Sequence, residues 1–306
     1  MIEPSNRFRG CLLGLAAGDA VGTSVEFMPR GSFKPLSDMV GGGPFHLKAG
    51  QWTDDTSMAL CLATSLVECR GFEARDQMER YWDWYRNGAY SSTGDCFDIG
   101  STVRQALQRY KTTDEPFSGS TDPYSAGNGS IMRLAPVAMA YYPNQHFVWH
   151  YAAESSRTTH AAAECLDACR LLGDILYQAL SGAGKAETLL STAPERFQAE
   201  SIQKIARGDY REKTDANIRG TGYVVQSLEA ALWCFWVTDS FESAILTAAN
   251  LGDDTDTTAA ICGQVAGAFY GESGIPDRWL DKLAMRDEIA SLANELEALD
   301  LSCPPI

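Results

Sequence analysis

The chain has 306 residues and a formal net charge of −15, from 40 acidic against 25 basic side chains. That balance argues against a nucleic-acid partner, because binding a duplex draws much of its affinity from neutralising phosphates. A hydrophobic fraction of 45% suffices for a packed core, while no run of about 18 apolar residues marks a membrane span.

Taken in chain order, the polar start, Met1 to Gly10, lacks the layout of a signal peptide. Phe8 to Val21 is rich in Ala, Leu and Gly and predicts a buried helix. Further helical patterns follow at Ser57–Glu68, Gln77–Arg86, Ser101–Tyr110, Ile131–Tyr141, Ala161–Ser181, Tyr223–Trp236, Phe241–Asn250 and Thr257–Tyr270. A last one, Asp277–Ala298, comes after Pro276. Several are apolar around most of their circumference, as expected inside a larger assembly of helices. Gly41 to Pro44 and Ser118 to Gly129 read as loops, and Glu195 to Arg219 as a polar, charged connection. Period-two alternation is absent, and no Pro/Gly/Ser-rich linker divides the chain. The expectation is an all-α protein with one domain over residues 1–306. Nine cysteines show no C-x-x-C spacing. Cys61, Cys69, Cys165, Cys169, Cys234 and Cys262 fall in apolar helical contexts, which predicts reduced core thiols and a cytoplasmic setting.

Two acidic clusters carry the chemistry. Thr53-Asp54-Asp55-Thr56 and Asp253-Asp254-Thr255-Asp256-Thr257 each stand directly before an apolar helical run. Asp and Thr are favoured N-cap residues, and acids in a first turn gain from the helix dipole. Capping needs only one or two acids, however, and three carboxylates within four positions repel one another unless a cation offsets them. Hard divalent cations take oxygen ligands of this kind. Metal ligation, with the two helix starts facing each other, is therefore the stronger reading. Glu26, between Val25 and Phe27, is either a poised acid or a surface carboxylate beside a turn at Gly18–Gly22. Gly127-Asn128-Gly129-Ser130 is either a backbone anion site or an ordinary glycine turn.

In this order the motifs resemble the ADP-ribosylglycohydrolase family. The resemblance runs from Arg9-Gly10-Cys11-Leu12-Leu13-Gly14 through Gly18-Asp19, Glu26, Gly50 to Thr56 and Asp98-Ile99-Gly100. It continues at Gly127 to Ser130, Thr159-His160, Gly222 to Val225 and Leu251 to Thr257. It implies an all-helical fold with two divalent ions, Mg²⁺ or Mn²⁺, held by Thr53, Asp54, Asp55, Asp254, Asp256 and Thr257. Asp253 stands where the family commonly has Gly, and no ligand role is carried onto it. Glu26, Asp98 and Asp55 are the implied catalytic acids. Gly100, Gly127, Asn128, Gly129, Ser130, His160 and Tyr223 are the implied substrate contacts, with His160 equally readable as a core histidine. The implied reaction is release of ADP-ribose from a mono-ADP-ribosylated protein, with arginine favoured over serine as the linkage and the enzyme acting as a monomer. The alternatives are a catalytically silent binding member and a hydrolase of another ADP-ribosyl compound.

Overall fold

The computed structural model describes residues 2–190 and 193–301. Helices account for nearly all its regular structure; the only β pairings among the described residues are isolated bridges. In order they are α1 (Pro4–Gly22), α2 (Asp54–Glu68), α3 (Ala74–Asn87), α4 (Ser101–Thr113), α5 (Ala135–Tyr141), α6 (Gln145–Arg157) and α7 (Ala163–Leu180). There follow α8 (Lys185–Thr188), α9 (Glu200–Arg207), α10 (Val224–Trp236), α11 (Phe241–Ala249), α12 (Thr255–Tyr270), α13 (Asp277–Leu280) and α14 (Arg286–Glu297). None is long and apolar enough to cross a membrane.

The centre of the assembly is the antiparallel pair α1 and α12, buried over most of their lengths. Gly10, Gly14, Gly18 and Gly22 recur every fourth residue, so they share one face of α1. A Cβ on Gly10 would lie 2.3 Å from the Gly267 carbonyl oxygen, and one on Gly14 would lie 2.4 Å from that of Gly263. For Gly18 the obstacle is Ala259 O at 2.1 Å, and for Gly22 it is Thr255 O at 2.4 Å. The two backbones are thus in contact along their lengths, and only hydrogen fits between them. This contact brings the start of α12, with its acids, against the last turn of α1. Gly18 and Asp19 lie within that helix, not in the turn expected there.

Several expected boundaries shift for identifiable reasons. The helix expected from Ile131 begins at Ala135, because Pro136, which has no N–H to donate, sits in its first turn. The Asp277–Ala298 pattern divides into α13 and α14, with Met285 between them at φ +54°. The expected polar connection contains α9, whose Ile202, Ile205 and Ala206 are buried. Helix α6 was not expected, yet it buries Val148, Ala152 and Ala153. Of the cysteines read as core thiols, Cys69 is exposed, since it caps the end of α2; the other five are buried and free.

Candidate active site

The acids at the start of α2 owe their freedom to a residue on another helix. Asp19, fully buried on α1, accepts hydrogen bonds from the N–H groups of Thr53 (2.9 Å) and Thr56 (3.0 Å) and from the Thr56 hydroxyl (2.7 Å). It does for α2 what an N-cap side chain normally does within its own chain segment. Asp54 and Asp55 are therefore not needed as caps, and both turn into a cavity of about 410 Å³.

The second cluster meets them there. The Thr53 hydroxyl lies 3.2 Å from Asp256 Oδ2, and the Thr257 hydroxyl lies 3.3 Å from Asp55 Oδ1. Residues some two hundred positions apart thus face each other as the paired clusters suggested. Asp254 accepts a 2.8 Å hydrogen bond from Asn128 Nδ2, which also reaches Ser227 Oγ at 3.2 Å. Asp253 is exposed, with φ +64°, and its backbone pairs with Phe27 and Met28. Glycine enters that left-handed region freely and Asp tolerates it, so the substitution leaves the local backbone path intact and keeps the extra charge in solvent.

Glu26 and Asp98 complete the acidic wall. Carboxylate oxygens of Glu26, Asp98 and Asp256 all lie within 4.8 Å of one another, a grouping that could hold a metal ion. Burial first, then Asp98 and Asp254, push the Glu26 carboxyl up to about 9. Burial likewise raises Asp98 to about 7 and Asp19 to about 6. Asp54, Asp55 and Asp256 are raised well above the usual range, again by burial and then by neighbouring acids, Glu26 and Asp98 among them in each case. Among the described residues, six carboxyl groups line the cavity, from Glu26, Asp54, Asp55, Asp98, Asp254 and Asp256, and no Lys or Arg does. Asp55 Oδ2 and Asp256 Oδ1 are buried without a hydrogen-bond partner among the described residues. Orphaned buried carboxylate oxygens are costly, and oxygen donors in this number match a hard divalent cation. The residues present fit such an ion.

A pH dependence follows. Glu26 and Asp98 hold their protons more tightly when folded than in the unfolded chain, where carboxyls titrate near 4. The folded state therefore binds more protons, and stability rises as pH falls through the folded values. His160 acts in the opposite sense. Burial, then Arg133, push it down to about 3, so it costs stability once pH drops below its unfolded value of about 6.5. In a chelator, the melting temperature should climb as pH is lowered from 9 to about 6.5. A flat or falling curve over that range would contradict the clustering of protonated acids.

The other expected substrate contacts divide by position. Gly100, Gly127, Asn128, Gly129 and His160 line the acidic cavity. Ser130 does not, because its hydroxyl is buried against Cys169 of α7; nor does Thr53, which is sealed behind Asp256. Tyr223 lines a neighbouring cavity of about 630 Å³ that shares Thr102, Gly127 and Gly222 with the first. Its hydroxyl donates to Glu164 Oε2 at 2.7 Å. His160 is buried with Nδ1 2.8 Å from the Thr159 hydroxyl, so it is at once a core residue and part of the lining.

Sequence reasoning passed over two residues. Asp19 was visible as a lone acid in an apolar helix. Arg133, the one charged residue between Ser130 and Tyr141, is fully buried with no carboxylate in ion-pair range among the described residues. It donates to the Gly129 carbonyl (2.8 Å) and the Thr159 hydroxyl (2.6 Å) and lies over the Tyr81 ring. With its carbonyl engaged from beneath, the loop leaves the N–H groups of Gly129 and Ser130 without a partner among the described residues.

Comparison with known proteins identifies the family. The family model described as ADP-ribosylglycohydrolase matches residues 2–305. The chain is 47% identical over 291 residues to the ADP-ribosylarginine hydrolase Tri1 of Pseudomonas putida (strain GB-1), covering 95% of this chain and 78% of that one. It is 33% identical to the ADP-ribosyl-[dinitrogen reductase] glycohydrolase of Rhodospirillum rubrum, over 98% of each chain. A solved structure titled "ADP-ribosylglycohydrolase-related protein complex" superposes with a TM-score of 0.86 at 42% identity, covering 97% of this chain and 99% of that one. The chain belongs to the ADP-ribosylglycohydrolase family.

Proposed function

We propose that this protein is a metal-dependent hydrolase that releases ADP-ribose from ADP-ribosylated arginine side chains of proteins. The observation that carries the reading is the meeting of the two helix starts, Thr53 on Asp256 and Thr257 on Asp55, around unpartnered carboxylate oxygens. The name of the Pseudomonas putida relative supports the arginine linkage.

Asp54, Asp55, Asp254 and Asp256, with the Thr53 and Thr257 hydroxyls, would hold two divalent cations, Mg²⁺ or Mn²⁺. Bound there, the ions supply Lewis acidity, steadying charge on the ribose and making water a better nucleophile. Glu26 and Asp98 manage the protons. The bond between ribose C1 and the guanidine nitrogen breaks, and water oxygen bonds to C1. One carboxyl of the pair gives a proton to the departing nitrogen while a carboxylate takes one from water. The free N–H of Gly129, in the cavity lining above the buried Arg133, offers an anion contact for the diphosphate. Tyr223, held by Glu164 beside the adjoining cavity, takes the adenosine end.

The test is release of ADP-ribose from arginine-modified and serine-modified proteins with Mg²⁺, with Mn²⁺ and with EDTA. The expected result is release from arginine that EDTA abolishes. Release from serine alone would move the linkage, and failure on both would leave a silent ADP-ribose binder.

A further inference from the structure

Beside the acidic cavity lies a cluster of three aromatic rings with no part in the chemistry above, and Phe27 alone of the three lines the cavity. Phe27 is 65% exposed and sits at φ +62°, a left-handed conformation that is an outlier for a bulky residue. Two backbone hydrogen bonds hold it there, from Phe27 N–H to Asp253 O (2.8 Å) and from Asp253 N–H to Met28 O (2.9 Å). Its ring meets Phe45 edge-on at 6.4 Å, and Phe45 lies 5.1 Å from Phe97. The three rings come from separate segments: the turn after Glu26, the turn beyond Gly43 and the loop that ends in Asp98. Phe27 lines the same cavity as Glu26 and Asp98. A single exposed aromatic is unremarkable on a protein surface. One kept exposed at a strained backbone position, next to unpaired acids, calls for a ligand.

We propose that Phe27, backed by Phe45 and Phe97, is the leaving-group subsite, where its ring face receives the guanidinium and aliphatic stem of the modified arginine. The proposal rests on the arginine-hydrolase reading above. A guanidinium is planar and weakly hydrated, and it stacks on aromatic faces. Here such a cation has the Glu26 and Asp98 carboxyls at its edge and meets no Lys or Arg in the cavity lining. A serine leaving group, small and neutral, has nothing to set against the ring. Phe27 would thus favour one linkage over the other while leaving the ADP-ribose portion untouched.

Phe27→Ala, Phe27→Leu and Phe27→Tyr test this with the full-length protein. On arginine-modified protein, kcat/KM should fall by about 3- to 30-fold in Ala and Leu and return near wild type in Tyr. Leu keeps the apolar bulk, so its failure isolates the ring face. Affinity for free ADP-ribose, which lacks the guanidinium, should stay within about twofold of wild type, by the same attribution of the loss to the cation–ring contact. An equal loss of ADP-ribose affinity would overturn the proposal by placing Phe27 against the ribose, and so would unchanged turnover. If the wild-type protein itself leaves arginine-linked ADP-ribose in place, the functional reading falls and the subsite with it. If wild type turns over and the variants match it, only the subsite falls.

Discussion

Asp256→Asn is expected to silence ADP-ribose release while making the metal-free protein more heat-stable. Asp256 is 2% exposed, one of its oxygens has no partner, and burial together with Glu26, Asp55 and Asp98 disfavours its charge. Asn has the same shape and no charge, so it relieves repulsion in the cavity without opening a void. The cost falls on cation binding, where a neutral amide is a poorer ligand for a hard ion. Turnover should drop by at least about 100-fold. The melting temperature in EDTA should rise by about 2 °C or more, because Asn need not take up a proton on folding as the raised Asp256 carboxyl does. The rise that Mn²⁺ confers on wild type should shrink in the variant, because stabilisation by a ligand tracks its affinity for the folded state. Retained turnover would take Asp256 out of the ligand set. An unchanged melting temperature in EDTA would mean that the carboxylates carry no net strain.

A large loss of stability is expected from Gly263→Ala. A Cβ there would stand 2.0 Å from the Gly14 carbonyl oxygen, and backbone cannot swing aside as a side chain can. The helices must separate, losing packing along α1 and α12 together. A loss of more than about 3 kcal/mol is expected by chemical denaturation, as for other overpacked core positions. Gly173→Ala on α7 is the contrast. Its nearest obstacles are the side chains of Val148 at 3.2 Å and Ala152 at 3.3 Å. The better helix propensity of Ala offsets part of that crowding, so a change within about 1 kcal/mol is expected. Similar values for the two variants would show that α1 and α12 are not in backbone contact. Activity should fall with Gly263→Ala beyond what stability explains, because α12 carries Asp256 and α1 carries Asp19.

Much of this was readable from residue order. The two acid clusters stood before apolar runs, and the structure puts them at the first turns of α2 and α12. What escaped was mostly non-local. Nothing near Asp19 announces that it caps a helix 34 residues further on. The glycine spacing in α1 was visible as a period of four, but its partner lies some 240 residues away and no local rule connects them. Helix α6 hid behind Gln145, His146, His150, Glu154 and Arg157, which cover its outer face. In α9 three apolar residues on one face were too few to stand out among charges. The break at Met285 has neither Gly nor Pro beside it to mark it. Asn128 lines the cavity, and its side chain is engaged by Asp254 and Ser227, residues about a hundred or more positions away. Composition says which groups are polar, not which of several neighbours will claim them.

The close pairing of α1 with α12 also sets when the cavity can come into being. Helix α1 is made first, yet the surface it covers is completed only when Tyr270 has been joined to the chain. At about 5–20 residues per second, the interval between the two is on the order of 10–50 s on the ribosome. For that time an apolar helix with a bare glycine face waits for its partner. A chain that stops short of α12 lacks Asp256 and Thr257 and also leaves α1 uncovered. Premature termination should therefore yield aggregates, and the hydrolytic site should appear all at once, late in synthesis, with no partial form preceding it.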